Sequence, residues 1–184
     1  MLTIGLFCMA DIPARHAPPI VRNALWNPYA ASNKKQVKEK FVAIFNPTRE
    51  DVRRFFCDTW KKKTESHILT PLETIAGDWM GQHPEYQTLL ADPEGALDQD
   101  YTPERGETNP FLHLSMHLSI SEQISIDQPP GIKHIAEKLA QKLGSEHEAQ
   151  HRIMECLGQM MWESQRDGIP LSPEKYIEAL QKLN

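Results

Sequence analysis

The stretch that decides the fold is N-P-F-L-H-L-S-M-H-L-S-I-S-E-Q-I-S-I, residues 109–126. Asn109 followed by Pro110 is a helix start, because the polar side chain caps free N–H groups and proline at the first helical position loses no hydrogen bond. On such a helix His113 and His117 point about 40° from each other and lie in the middle of an apolar arc. The polar residues of the opposite side are Ser115, Ser119 and Glu122.

The same pairing of a polar residue with proline marks other helix starts along the chain. It occurs at residues 46–47, 70–71, 92–93, 109–110 and 172–173. Ser145 with Glu148 matches a capping box, and Gly144 and Gly168 stand where a helix end favours a left-handed residue. The predicted helices span residues 47–62, 71–81, 109–126, 132–143, 145–167 and 173–183, with short helical turns between 84 and 98.

These patterns predict an all-α fold, because no segment alternates like a strand. We expect an antiparallel helical bundle of about five to six helices that forms a single domain over residues 45–184. The chain has 184 residues and a formal net charge of −5. This length fits one domain with a tail.

The first 44 residues differ from the rest in charge and pattern. They contain six Lys or Arg residues against two acidic residues, a net charge of +4, which leaves −9 for residues 45–184. They also contain four prolines and no sustained helical period. We expect an N-terminal extension that is poorly ordered, or one that packs on the domain through Leu25, Trp26 and Tyr29.

Composition excludes several function classes. No apolar run approaches the roughly 20 residues of a membrane span, so no membrane partner is expected. The three cysteines are widely spaced, which indicates a reducing compartment and a cytoplasmic protein. A basic run on the first helix, which includes Arg53, is interpreted as a solvated face, and the acidic domain disfavours nucleic acid. A protein partner or a homo-oligomer stays possible.

A second histidine pair repeats the first. His147 and His151 are four residues apart on the helix from Ser145, and Glu155 follows one turn later. If the helices starting at 109, 132 and 145 run up, down and up, the two pairs lie at similar heights, about 3 Å apart. The other four histidines, His16, His67, His83 and His134, show no such order.

Two interpretations of the histidine pairs stay open. Imidazoles that meet inside a helical bundle suit a divalent transition metal such as Zn or Fe. The predicted ligands are His113, His117, His147 and His151, with Glu155 as a ligand or an orienting acid. In the alternative, the histidines are packed core residues of a non-enzymatic protein-interaction module.

Residues 147–151 read H-E-A-Q-H and match the H-E-x-x-H pattern of zinc hydrolases, in which the glutamate activates water. That would make Glu148 a general base, whereas the capping box gives it a structural role. Asp78 could supply a further carboxylate, but its position favours a solvent-facing residue. The residue pattern alone leaves it uncertain whether the protein is an enzyme.

The run from Asn109 to Ile132 resembles the signature of a bacterial family, domain of unknown function (DUF) 1841. Further blocks resemble it at residues 55–60, 69–73, 83–86, 100–104 and 154–158. The resemblance covers about residues 45–184, and it implies that residues 1–44 are an extension or follow an upstream translation start. It implies no activity and no site residues.

Overall fold

The protein is built from helices joined by short turns. The computed structural model describes residues 47–101 and 108–183, and within these ranges it has eight α-helices and no strand. The helices are α1 (Arg49–Thr64), α2 (Pro71–Gln82), α3 (Gln87–Leu90), α4 (Pro93–Asp98), α5 (Pro110–Ile126), α6 (Ile132–Leu143), α7 (Glu146–Asp167) and α8 (Pro173–Gln181). A turn of 3-10 helix, Pro84–Tyr86, follows α2. The all-α prediction is confirmed, and the count exceeds five to six because residues 87–98 form two short helices.

Most helix ends lie where their capping residues predict. The side chains of Thr70, Asn109 and Ser172 accept backbone N–H groups at the starts of α2, α5 and α8. Gly144 and Gly168 end α6 and α7 with φ of 71° and 65°, which glycine adopts without a Cβ clash. Polar caps and left-handed glycines therefore set the lengths of the long helices.

The first helix starts later than predicted. Thr48 caps it through a complete capping box with Asp51, so α1 begins at Arg49 rather than at Pro47. The predicted cap, Asn46, and the predicted N-terminal extension, residues 1–44, lie outside the described residues.

The long helix α5 lies between two hydrophobic clusters. Phe111, Leu114 and Leu118 belong to the cluster formed with α1 to α4, whereas Met116 and Ile120 belong to the cluster formed with α6 to α8. Ser115 and Ser119, predicted on the polar side, are also buried, because helices cover α5 on both sides. In the described part of the chain, no helix is both long and apolar enough to cross a bilayer.

Arg53 corrects the interpretation of the basic run on α1 as a solvated face. Its side chain is 1% exposed, and its Nη1 donates hydrogen bonds to the carbonyl oxygens of Ala96, Leu97 and Gln99 at 2.8, 3.1 and 2.7 Å. These carbonyls end α4, where free acceptors and the helix dipole favour a cation. Arg53 is therefore an internal link between α1 and α4.

Candidate metal centre

Five histidines from three parts of the chain meet at one place in the fold. His113 and His117 come from α5, and His147 and His151 come from α7, which packs against α5. The fifth, His83, immediately follows the last residue of α2, which also packs against α5. The two predicted pairs therefore face each other across a helix interface, and the end of α2 adds one imidazole.

The Nε2 atoms of the five rings form a continuous chain of short contacts. Nε2 of His83 lies 3.0 Å from that of His147 and 3.1 Å from that of His117. Nε2 of His113 lies 3.2 Å from that of His117 and 3.2 Å from that of His151. In the set His83, His117, His147 and His151, one nitrogen of each ring lies within 4.8 Å of all the others.

His83 is held from its other ring nitrogen by a carboxylate. The Nδ1 atom of His83 lies 2.7 Å from Oε1 of Glu85, and the side chain of His83 is nearly buried. Burial is the largest single influence and raises the pKa of Glu85, but the hydrogen bond from His83, a backbone hydrogen bond and the charges of His83 and His113 together lower this pKa below its ordinary value. An ionised Glu85 only accepts hydrogen bonds. Nδ1 of His83 therefore carries a proton, and in the neutral ring Nε2 presents a lone pair.

His117 is held in the same way by an amide. Its Nδ1 donates to Oε1 of Gln150 at 2.9 Å, while Nε2 of Gln150 donates to Oγ of Ser121 at 3.1 Å. Trp79 donates its indole N–H to the same hydroxyl at 2.9 Å and stacks on the His117 ring, with centroids 4.2 Å apart. The network fixes both the orientation of the fully buried His117 ring and its tautomer.

These two sets of hydrogen bonds have a chemical consequence at the contact between His83 and His117. When both rings are neutral, each Nε2 atom carries a lone pair and no proton, yet the two atoms face each other at 3.1 Å. Two acceptors at this distance repel unless a positive charge lies between or beside them. A single proton can form a hydrogen bond between only one pair of these nitrogens, whereas a metal ion accepts lone pairs from several imidazoles at once.

Burial disfavours the proton at two of the rings. Burial, with the neighbouring imidazoles, lowers the pKa of His117 to about 3 and that of His113 to about 4. The pKa values of His147 and His151 are also lowered, chiefly by burial. His113, His117, His147 and His151 therefore favour the neutral form, which is the protonation state that metal ions require of histidine.

The structure does not bring Glu155 to the cluster. Its carboxylate lies 3.1 Å from Nη1 of Arg152, and its side chain is 65% exposed. One helical turn after His151, the face of α7 that holds His147 and His151 is exposed to solvent. Glu155 therefore pairs with Arg152 on its own helix. Asp78 is solvent-facing, as the sequence favours, and pairs with Lys63 at 2.9 Å.

His83 is the member of the cluster that the sequence analysis missed. The sequence pattern groups His83 with the histidines that show no order, and His83 lies two residues beyond the predicted helix at 71–81. However, residues 76, 79, 80 and 83 form a single helical stripe, and all four are buried. Extending the stripe of Ala76, Trp79 and Met80 by one further step would have placed His83 at the core.

The H-E-A-Q-H motif is split between the cluster and the surface. Both of its histidines reach the cluster, whereas Glu148 is exposed. The backbone N–H of Glu148 donates to Oγ of Ser145 at 3.2 Å. Ser145 thus caps α7 as predicted. The hydrogen bond from the Glu148 backbone to the Ser145 side chain is one of the two that define a capping box.

The fold and the site together define an all-α protein with a half-buried cluster of histidines at a three-way helix junction. Within this class, the chain belongs to the family described as domain of unknown function (DUF1841), which matches residues 48–182. The match agrees with the resemblance of residues 45–184. Comparison with curated proteins and with solved structures gives no match.

Proposed function

We propose that this protein binds a divalent transition-metal ion, Zn or Fe, through its histidine cluster. The ligands are Nε2 atoms of His83, His117, His147 and His151, with His113 adjacent to them. The observation that carries the proposal is the contact between the Nε2 atoms of His83 and His117, whose other ring nitrogens are already held by Glu85 and Gln150.

The spacing of the ring nitrogens supports a common ion. Imidazole nitrogens about 2.0 to 2.1 Å from an ion lie about 3.3 Å apart in tetrahedral geometry and about 2.9 Å apart for adjacent octahedral positions. Within the proposed ligand set, the contacts of His83 with His147 and His117 are 3.0 and 3.1 Å and fall between these values, and the four nitrogens all lie within 4.8 Å of one another. Imidazole donors suit Zn and Fe, and also Ni and Cu.

The outer hydrogen bonds separate this proposal from that of structural core histidines. A packed histidine is satisfied by donating to a backbone carbonyl or by pairing with an acid. His83 pairs with an acid at Nδ1 and His117 with an amide, yet all five rings also direct Nε2 toward one another, which neither kind of packing requires. Holding the ring from its second nitrogen is the arrangement that histidine ligands of metal ions adopt.

Metal analysis of the chain purified without a histidine tag tests the proposal. We expect about one equivalent of a first-row transition metal, either as purified or after reconstitution with Zn²⁺ or anaerobic Fe²⁺ followed by gel filtration. Elemental analysis by mass spectrometry measures the ratio of metal to protein. A ratio near zero after both reconstitutions would overturn the proposal.

The Glu85→Gln variant is expected to weaken metal affinity by about tenfold, because the neutral amide no longer increases the basicity of His83. Glu85 lies at the surface with a side chain that is 55% exposed, so the variant should fold normally. Competition with a chromogenic zinc chelator gives the affinity. Glu94→Gln, at an exposed position on α4, is the matched control and should leave the affinity unchanged.

A further inference from the structure

The helix α5 separates two units of the fold, each with its own hydrophobic core. We call helices α1 to α4, residues 49–98, the first unit, and helices α6 to α8, residues 132–181, the second unit. Helix α5 packs against α1 and α2 on one side and against α6 and α7 on the other. Among the described residues, none belongs to both hydrophobic cores. The apolar packing therefore joins each unit to α5 rather than to the other unit.

The direct side-chain contacts between the two units are concentrated in the histidine cluster. Nε2 of His83 lies 3.0 Å from that of His147, and the His83 ring lies 4.7 and 5.6 Å from the rings of His147 and His151 between centroids. Trp79 adds a ring contact with His147 at 5.8 Å. Between described residues of the two units, every hydrogen bond, ion pair and ring contact is one of these. The cluster is therefore the place where the first unit meets the second.

The five imidazoles are divided unequally between the units. His83 is the member that the first unit supplies, from the residue after the end of α2. The other four rings come from α5 and α7, which pack against each other. An ion held by rings of α5 and α7 gains its bond to the first unit through His83.

The interaction of His83 with the other rings changes sign when an ion is present. Glu85 holds the proton of the neutral His83 ring on Nδ1, and Gln150 does the same for His117, so two lone pairs face each other at 3.1 Å. Two such acceptors repel. An ion that accepts both lone pairs replaces this repulsion by two bonds. Without the ion, the cluster pushes the end of α2 away from α5, whereas with the ion it holds α2 in place.

We propose that the bound ion is a cross-link between the two units, so that metal binding controls how firmly α2 is held against α5 and α7. This inference rests on the proposed metal binding and states how that site acts on the fold. Loss of the ion loosens the end of α2, while each unit keeps its own core. The protein is thus a metal-dependent conformational switch, in which His83 couples the ion to the first unit.

Hydrogen–deuterium exchange of the full chain, read by mass spectrometry, tests the cross-link. The protein is compared after treatment with a chelator and after saturation with Zn²⁺, with the zinc content measured in each sample. Ligand binding slows exchange everywhere by raising overall stability, and α6, which supplies no ring to the cluster, reports this general effect. We expect zinc to slow exchange in α2, residues 71–82, by about tenfold more than in α6.

Two matched variants separate the cross-link from metal binding. His83→Ala keeps the four rings of α5 and α7 and should still take up zinc, but zinc should then slow exchange in α2 no more than in α6. His151→Ala also removes one ring but keeps His83 and His147, so the additional slowing in α2 should remain. His83→Phe fills the buried position without a ligand nitrogen and should behave as His83→Ala does, which guards against an effect of the cavity.

The outcomes distinguish failure of the cross-link from failure of the metal site. If the unmodified protein binds one equivalent of zinc and exchange slows equally in α2 and α6, the cross-link is wrong and the metal site stands. The same holds if zinc-loaded His83→Ala and His83→Phe retain the additional slowing in α2. A protein that takes up no zinc would overturn the metal site and the cross-link with it.

Discussion

His117→Ala is expected to weaken metal binding by more than a hundredfold, the largest effect of any single change in the cluster. His117 is fully buried, contacts the Nε2 atoms of both His83 and His113, and is fixed by Gln150. Its loss removes a ligand and the link between two others, which exceeds the roughly 10- to 100-fold effect of losing an outer partner. Competition titration against a zinc chelator measures the change.

A second variant guards against loss of folding in this test. Replacing a buried ring that stacks on Trp79 leaves a cavity and lowers stability. His151→Ala removes a half-buried member of the set and should also weaken binding strongly while preserving the helical circular dichroism spectrum. His134→Ala, at an exposed position on α6, is the matched control. Unchanged affinity in the two cluster variants would show that the histidines are structural.

The helices could be predicted from the sequence because their signals are local. A polar cap, a first-turn proline and a terminal glycine act within a few residues, so Thr70, Asn109 and Gly144 define boundaries without knowledge of the tertiary fold. The histidine pairs on α5 and α7 were found in the same way, since i and i+4 residues share a helical face.

Apart from the start of α1, which a local capping box sets, the differences between prediction and structure depend on how helices distant in sequence pack. Arg53 looks like part of a charged surface until α4 places carbonyl oxygens 43 to 46 residues away against it. His83 joins the cluster through His117, 34 residues away, and through His147, 64 residues away. Glu155 follows the helical spacing of a ligand, but the packing of α7 leaves it in solvent beside Arg152.

Mild acid is expected to destabilise the metal-free protein because the folded cluster resists protonation. The pKa of His117 is about 3 in the folded protein, because burial outweighs the hydrogen bond to Gln150, and about 6.5 when unfolded. The unfolded chain therefore takes up a proton first, so stability that is present above pH 6.5 is lost as the pH falls toward 3. At pH 5 this fully buried ring alone lowers the free energy of unfolding by about 2 kcal/mol.

The other lowered histidine pKa values act in the same direction, so the total loss at pH 5 should exceed that of His117. Carboxyl groups such as Glu73, whose pKa is lowered to about 2 chiefly by Lys62, lose their stabilising charge only below about pH 5. The range from pH 6.5 to 5 therefore reports the histidines. Urea denaturation at pH 7, 6 and 5, after removal of metal with a chelator, measures the loss.

Metal should raise stability without removing this pH dependence, because it binds only the deprotonated ligands of the folded protein. With saturating Zn²⁺ we expect a higher free energy of unfolding at pH 7 than without metal, and a fall between pH 7 and 6 that is at least as steep. His117→Phe should flatten the metal-free pH dependence, whereas His134→Gln should retain it. Identical free energies of unfolding at pH 7 with and without saturating zinc would contradict metal binding at the cluster. A metal-free protein whose stability is constant from pH 7 to 5 would contradict the burial of neutral imidazoles from which the proposed metal binding starts.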